Sequence, residues 1–196
     1  MIERAGELIK QGKIVIFPTE TVYGIGTNGL DKNAVRKLYE VKKRPLSKPI
    51  SLLVANMDMV NLIAKDITEA EYKMMKSFFP GPLTIILKKK KVVPDIVTAG
   101  QDTVGVRMPR GDIARKLVEL AGVPIAAPSA NISGEPSGTN LQEIMKNFEE
   151  EVDYCIDGGN SELGLASTIV QLIDEKPVIL RQGSITLEQI NKKLKE

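Results

Sequence analysis

Hydrophobic positions recur along the chain with two periods, one of three to four residues and one of two residues. The longer period is typical of amphipathic helices, and alternation or a short β-branched run is typical of strands. The helical pattern covers residues 2–9, 31–43, 57–63, 68–79, 112–121, 140–148 and the segment after Thr186. The strand pattern covers residues 14–17, 51–54, 83–87, 103–107, 124–127, 152–156, 167–173 and 178–181.

The order of these elements predicts an α/β fold, because strands and helices alternate through most of the chain. We expect a single domain over residues 1–196, with a twisted mixed β-sheet flanked by helices. The sheet is expected to be mixed because residues 170–180 have the pattern of a hairpin, with Asp174–Pro177 as its turn.

Residues 13–29, KIVIFPTETVYGIGTNG, form the most unusual stretch. A short apolar strand is followed by Pro18, four polar or hydroxyl-bearing side chains in 19–23, and three glycines. A strand that ends in such a loop commonly places a ligand in α/β proteins, although an ordinary turn is the alternative. The letters GIGTNG match the dinucleotide fingerprint, but six residues separate them from the strand and no acidic residue follows at the required spacing. We therefore reject that interpretation.

A second unusual loop covers residues 128–139, PSANISGEPSGT. Its small hydroxyl and amide side chains, with two prolines and two glycines, make a rigid surface rich in hydrogen-bond donors. Such a surface suits phosphate or ribose oxygens, and a merely solvated loop is the alternative.

Composition and charge indicate an ordinary globular protein, with 42% hydrophobic residues, 27% charged residues and a net charge of +2. No apolar run approaches the roughly 18 residues needed to cross a membrane, so we expect a cytoplasmic protein. Basic residues are grouped at 42–48 and 88–91. The first group is expected to hold an anion, and the second to mark a solvated strand end or hairpin.

The chain contains no histidine and one cysteine, Cys155. A Ser-His-Asp triad, a Cys-His pair and a His-containing zinc site are therefore excluded. Any catalysis must depend on Lys, Arg, Ser, Thr, carboxylates, backbone amides or a borrowed metal ion. Reactions driven by positioning and charge neutralisation, such as transfers at phosphorus, are favoured.

Seven segments together resemble the YrdC/TsaC family of threonylcarbamoyl-AMP synthases. They are PTETVYGIG (18–26), KKRP (42–45), PGPLT (80–84), TVGVRMP (103–109), PSANISGEPS (128–137), STIV (167–170) and LRQG (180–183). Each is weak alone, but they follow one another in order over nearly the whole chain.

The resemblance implies one twisted α/β domain with a large concave cleft. It also implies a nucleotidyltransferase that condenses L-threonine, bicarbonate and ATP to threonylcarbamoyl-AMP and pyrophosphate, for the t6A modification of tRNA. Mg²⁺ would accompany ATP without a dedicated protein site. The implied partners are these substrates and, further on, tRNA or the t6A transferase complex, with no membrane.

The resemblance also assigns residues of this chain, and no single one dominates catalysis. The expected threonine ligands are Thr21, Tyr23, Arg107 and Ser167, and the expected ATP ligands are Arg44, Lys48, Thr103, Ser129, Asn131, Ser137 and Arg181. Lys42, Arg44 and Lys48 are expected to neutralise the charge of phosphate and leaving pyrophosphate. Tyr23, Lys42 and Asn131 are expected to line the cleft.

The sequence departs from the family pattern in two ways. Some longer relatives carry a histidine where this chain has Leu52-Leu53, so one threonine contact lacks its counterpart. The chain also ends at Glu196, before the extra carboxyl-terminal domain of those relatives.

Three other interpretations stay open. An RNA-binding module would explain the lysine clusters, although 4% aromatic residues and no tryptophan leave few stacking platforms. A related member of the fold without synthase activity is a stronger rival. The carbamoyl-adenylating domain of hydrogenase-maturation proteins is the third, and it normally belongs to a much longer chain.

Overall fold

The computed structural model describes residues 1–138, 140–148 and 151–196, and within them nine strands and seven helices. The helices are α1 (Ile2–Lys10), α2 (Lys32–Val41), α3 (Met57–Ile63), α4 (Glu69–Phe78), α5 (Asp112–Ala121), α6 (Leu141–Met145) and α7 (Leu187–Lys195). The strands are β1 (Val15–Phe17), β2 (Gly24–Asn28), β3 (Leu52–Leu53), β4 (Leu83–Lys88), β5 (Thr103–Arg107), β6 (Ile125–Ala126), β7 (Tyr154–Cys155), β8 (Thr168–Ile173) and β9 (Lys176–Arg181).

Helix starts follow the capping residues in the sequence. The Asp31 side chain accepts hydrogen bonds from the first-turn amides of α2, and Thr68 and Thr186 each form a complete capping box. Helix α6 is shorter than the predicted 140–148, since it ends at Met145. Thr139, the last residue of the second unusual loop, lies outside the described residues.

The predicted mixed α/β sheet is confirmed. The strands lie side by side in the order β7-β1-β2-β6-β3-β5-β4-β8-β9, with parallel pairs at β1/β7, β3/β5 and β4/β8. The other neighbours are antiparallel, including the predicted β8/β9 hairpin. Its turn is tighter than predicted, because Asp174 and Glu175 alone form it, both with positive φ angles, of 48° and 61°.

One prediction about the first unusual stretch is wrong. Gly24–Asn28 is strand β2, which pairs with β1 and β6, and the loop between β1 and β2 is limited to residues 18–23. The glycines are explained by the close approach of neighbouring strands. A Cβ at Gly26 would lie 2.7 Å from Ile125 Cγ2 and 3.0 Å from the carbonyl oxygen of Ala126.

Gly29, which follows β2, provides a test of this packing. A Cβ there would lie 2.9 Å from the carbonyl oxygen of Pro124 and 3.0 Å from the amide nitrogen of Ala126. Because both neighbours are backbone atoms, Gly29→Ala should lower the free energy of unfolding by about 1–3 kcal/mol. Gly111→Ala is the matched control, since a Cβ there would lie an ordinary 3.6 Å from the amide nitrogen of Glu20 and the φ of Gly111 is −62°. Urea unfolding of both variants measures the difference, and equal stabilities would contradict the packing argument.

Both faces of the sheet are covered by apolar side chains. Ile14 and Ile16 belong to the core that contains α2, α3 and α4, whereas Val15 and Phe17 belong to the core beneath α1 and α5. This alternation is the one expected for a strand between two helical layers. In the described ranges, no helix is long and apolar enough to cross a membrane.

Candidate functional site

A polar cavity of about 630 Å³, part of it open to solvent, lies against the sheet where β3, β5, β4 and β8 run side by side. The lining residues are Thr21, Val22, Arg44, Pro49, Ile50, Ser51, Leu53, Thr84, Arg107, Ala127, Pro128, Ser129, Ala166, Ser167, Ile169 and Arg181. The predicted residues Thr21, Arg44, Arg107, Ser129, Ser167 and Arg181 are therefore brought together.

Arg107 is the most deeply buried charge in the cavity wall, with 7% of the residue exposed. Its Nε donates to the carbonyl oxygen of Gly81 at 3.2 Å, and its Nη1 donates to Thr21 Oγ1 at 2.9 Å. Its Nη2 lies 2.8 Å from Glu20 Oε2. Burial lowers the pKa of Arg107, and the carboxylate of Glu20 opposes that shift.

Arg181 and Arg44 bring two further guanidinium groups to the cavity. Arg181 reaches back from the end of β9 to Ser167, where its Nη2 donates to the carbonyl oxygen at 2.8 Å and to Oγ at 3.0 Å. Burial lowers the pKa of Arg181 first, and the positive charges of Arg107 and Arg44 lower it further. Arg181 is therefore close enough to both of the other guanidinium groups to be repelled by them.

Hydroxyl groups lie between these charges. Thr84 Oγ1 and Ser167 Oγ share a hydrogen bond of 2.8 Å, and Thr21 Oγ1 and Thr19 Oγ1 share another of 2.8 Å. Ser129 Oγ donates to Asn131 Oδ1. Hydroxyls both donate and accept, so these groups suit a ligand that carries oxygen and nitrogen atoms.

Charge makes the cavity a site for anions. Three guanidinium groups line it, and none of the sixteen lining residues, all within the described part of the chain, carries a carboxylate. Glu20 lies behind Arg107 and offsets one positive charge. An anionic ligand would relieve the remaining repulsion, and planar guanidinium groups bind carboxylate and phosphate well.

Lys42 and Tyr23, which are predicted to line the cleft, are not among the residues that line this cavity. Lys42 is 1% exposed, and its ammonium group donates to the carbonyl oxygens of Ser129, at 2.6 Å, and Asn131, at 2.5 Å. Lys42 thereby joins the end of α2 to the second unusual loop. Tyr23 is fully buried, and its hydroxyl donates to the carbonyl oxygen of Gly159 at 2.7 Å.

Asn131 and Ser137 are also outside the cavity lining. The Asn131 amide donates to the carbonyl oxygens of Ile132 and Glu135, so it holds its own loop together behind Ser129. Ser137 is half-buried near the end of that loop. The role of Asn131 in lining the cleft therefore stays a prediction.

Lys48 and Thr103 lie away from the cavity lining as well. The Lys48 side chain is exposed beside Pro49, while its carbonyl oxygen accepts from Arg44 Nε at 3.1 Å. Thr103 begins β5, whereas Arg107 ends it, so the two lie at opposite ends of the strand. Thr103 instead borders a surface hollow lined by Lys65 and by the lysine run 88–91, which forms the solvated end of β4 as predicted.

Sequence reasoning missed four polar features of the site: Glu20, Ser51, Thr84 and the carbonyl oxygen of Gly81. Glu20 lies between Thr19 and Thr21, in a segment that the sequence predicts to bind a ligand. That position was the one signal that could have indicated a role for Glu20. Thr84 closes the PGPLT segment of the family resemblance but received no role, and Ser51 comes directly before β3 in an apolar run that gave no signal.

Comparisons with known proteins agree with this architecture. Residues 7–183 match the model of the Sua5/YciO/YrdC family, described as "Telomere recombination". The threonylcarbamoyl-AMP synthase of Pyrococcus abyssi (strain GE5 / Orsay) is 47% identical over 195 residues, covering 100% of this chain and 57% of that protein. The threonylcarbamoyl-AMP synthase of Bacillus subtilis (strain 168) is 40% identical, covering 96% of this chain and 55% of that protein.

A solved structure is similar over the same range. The crystal structure of P. abyssi Sua5 complexed with L-threonine superposes with a TM-score of 0.95 at 47% identity, covering 98% of this chain and 56% of that one. The chain thus spans little more than half the length of the first two relatives and of this structure.

Proposed function

The chain belongs to the Sua5/YciO/YrdC family, and on that basis we propose that it is a threonylcarbamoyl-AMP synthase. It would condense L-threonine, bicarbonate and ATP to threonylcarbamoyl-AMP and pyrophosphate, and so act as a nucleotidyltransferase. The observation that carries the proposal is the convergence of Arg44, Arg107 and Arg181 with the hydroxyls of Thr21, Ser129 and Ser167 on one cavity.

The reaction can proceed in two steps without imidazole or thiolate. The amine of L-threonine attacks bicarbonate, and loss of water leaves a carbamate. A carbamate oxygen then attacks the α-phosphorus of ATP, the bond from that phosphorus to the bridging oxygen of the β-phosphate breaks, and pyrophosphate leaves. Both steps are accelerated mainly by holding the reactants together and by stabilising negative charge.

The cavity offers a group for each charged part of the reactants. Arg107, with Thr21 and Ser167 beside it, would bind the threonine carboxylate. Arg44, Ser129 and Arg181 would bind the triphosphate, which enters as its Mg²⁺ complex with the ion held by phosphate oxygens. Lys42 would act indirectly, because it holds the loop that carries Ser129.

The product would be consumed by a transferase that delivers the threonylcarbamoyl group to tRNA, and a cytoplasmic place of action follows from that substrate. The family resemblance and the synthase names of the relatives support this step.

A pyrophosphate-release assay tests the proposal. Purified protein should release pyrophosphate only when L-threonine, bicarbonate and Mg-ATP are all present, and omission of any one should abolish release. Arg110→Ala should keep full activity, because Arg110 is exposed and pairs with Glu162 outside the cavity. Release without threonine, or no release, would contradict the synthase assignment.

One observation favours a second candidate, a family member without synthase activity. Leu53 lines the cavity at the place where some longer relatives carry a histidine, so one polar contact to threonine is replaced by an apolar one. The same assay separates the two candidates. If the wild-type protein is inactive and Leu53→His gains threonine-dependent pyrophosphate release, the second candidate is correct.

A further inference from the structure

Glu20 and Arg107 form a buried ion pair directly behind the cavity wall. Glu20 is 5% exposed, and its Oε2 lies 2.8 Å from Arg107 Nη2. The other carboxylate oxygen accepts the backbone amide of Arg110 at 3.1 Å. Oε2 lies against the guanidinium without an aligned hydrogen bond, and Glu20 is not among the lining residues, so its carboxylate faces the guanidinium and not the ligand.

The three contacts of Arg107 fix the plane of its guanidinium group. Gly81 accepts from Nε, Thr21 accepts from Nη1, and Glu20 lies against Nη2. Nη2 is buried, and within the described residues it has no aligned hydrogen-bond acceptor. A guanidinium group has five N–H donors. The three contacts set the position of the Arg107 guanidinium from the side away from the cavity and leave some of its donors for a carboxylate ligand.

Glu20 also joins three segments of the chain. Its carbonyl oxygen accepts the amide of Leu163 at 2.8 Å, and its side chain binds both Arg107 and the backbone of Arg110. Leu163 lies four residues before Ser167, which lines the cavity. One residue therefore links the loop after β1, the end of β5 and the segment that leads into β8.

We propose that Glu20 is a positioning residue that orients the Arg107 guanidinium, so that Arg107 recognises a carboxylate. The inference rests on the proposed function, because the carboxylate in question is that of L-threonine. Glu20 itself touches neither the substrate nor the reacting atoms. A buried guanidinium that lacks its carboxylate loses both its counter-charge and one of its three fixed contacts.

Calorimetric titration with two ligands tests this role. L-Threonine carries the carboxylate, and L-threoninamide replaces it by a neutral amide, so the ratio of their affinities measures carboxylate recognition. In Glu20→Gln, which keeps the shape of the side chain, L-threonine affinity should fall about 10- to 100-fold while L-threoninamide affinity changes less than about twofold. Glu20→Asp keeps the charge and should recover part of the lost ratio.

The ratio of the two affinities distinguishes a positioning role of Glu20 from a merely structural one. A merely structural role for Glu20 would weaken both ligands equally and leave their ratio unchanged, which would overturn the inference. Glu162→Gln is the matched control, because it removes the exposed ion pair to Arg110 without altering Arg107, and it should leave the ratio at the wild-type value. If Glu20→Gln does not fold, Glu20→Asp alone decides, since a ratio equal to that of the wild type would again overturn the inference.

Failure of the proposed function gives a different result in the same titration. If the wild-type protein does not bind L-threonine, both the function and the inference built on it are overturned. If the wild-type protein binds L-threonine and all Glu20 variants bind it equally well, only the inference is overturned.

Discussion

Replacing Arg107 by alanine is expected to weaken L-threonine binding by more than about 100-fold while ATP binding changes by less than about threefold. The guanidinium is 7% exposed and fixed by three protein contacts, so it supplies a preorganised partner for a carboxylate. Separate titrations with L-threonine and with a non-hydrolysable ATP analogue measure the two losses. Equal losses would mean that the threonine end of the cavity is assigned wrongly.

Arg107→Ala also leaves the Glu20 carboxylate buried without its partner, which costs about 3–5 kcal/mol and risks unfolding. The double variant Glu20→Gln/Arg107→Gln removes both charges together and avoids that penalty. It should lose threonine binding to the same extent while keeping its thermal transition near that of the wild type. Arg110→Ala, three residues further along the chain and exposed, is the control that should bind both ligands normally.

Replacing Lys42 by methionine is expected to change how stability depends on pH. Burial, and then the positive charge of Arg44, lowers the pKa of Lys42 to about 7 in the folded protein. The unfolded chain keeps a lysine pKa of about 10.4. Between these values the unfolded state binds one more proton than the folded state, so the free energy of unfolding rises with pH by about 1.4 kcal/mol per unit.

Lys42→Met lacks this titration but shares all others with the wild type. The difference in unfolding free energy, wild type minus variant, should therefore grow by about 1.4 kcal/mol per pH unit between about pH 7.5 and 9.5. Urea unfolding at several pH values measures it. Lys43→Met, at the neighbouring exposed lysine, should run parallel to the wild type. Parallel curves for Lys42→Met would show that the two carbonyl oxygens that accept from its ammonium group keep it protonated.

Several features of the site could be predicted from sequence because they depend on local chemistry. The family resemblance of the TVGVRMP segment placed Arg107 among the threonine ligands, and the helix starts at Thr68 and Thr186 were predicted from their own residues. The hydroxyl-rich segment around Thr21 and the loop around Ser129 both reach the cavity. The hydroxyl-bearing residues of these two segments indicate a ligand site regardless of where the fold places the segments.

Long-range packing set the limits of the sequence interpretation. Lys42 and Arg44 are two residues apart in one basic motif, yet Lys42 donates hydrogen bonds to backbone carbonyl oxygens whereas Arg44 lines the cavity. The glycines of Gly24–Asn28 predict a loop, whereas in the structure they admit the close approach of β1 and β6. Which of several lysines is buried, and which glycine faces a neighbouring strand, depends on contacts between residues far apart in the chain.

The most direct test of the central claim is a crystal structure of the protein with L-threonine and a non-hydrolysable ATP analogue bound together. We expect both ligands in the one cavity, with the threonine carboxylate in hydrogen-bond contact with Arg107 and the phosphates in contact with Arg44 or Arg181. Ligands on separate faces of the molecule, or a threonine carboxylate held away from Arg107, would contradict it.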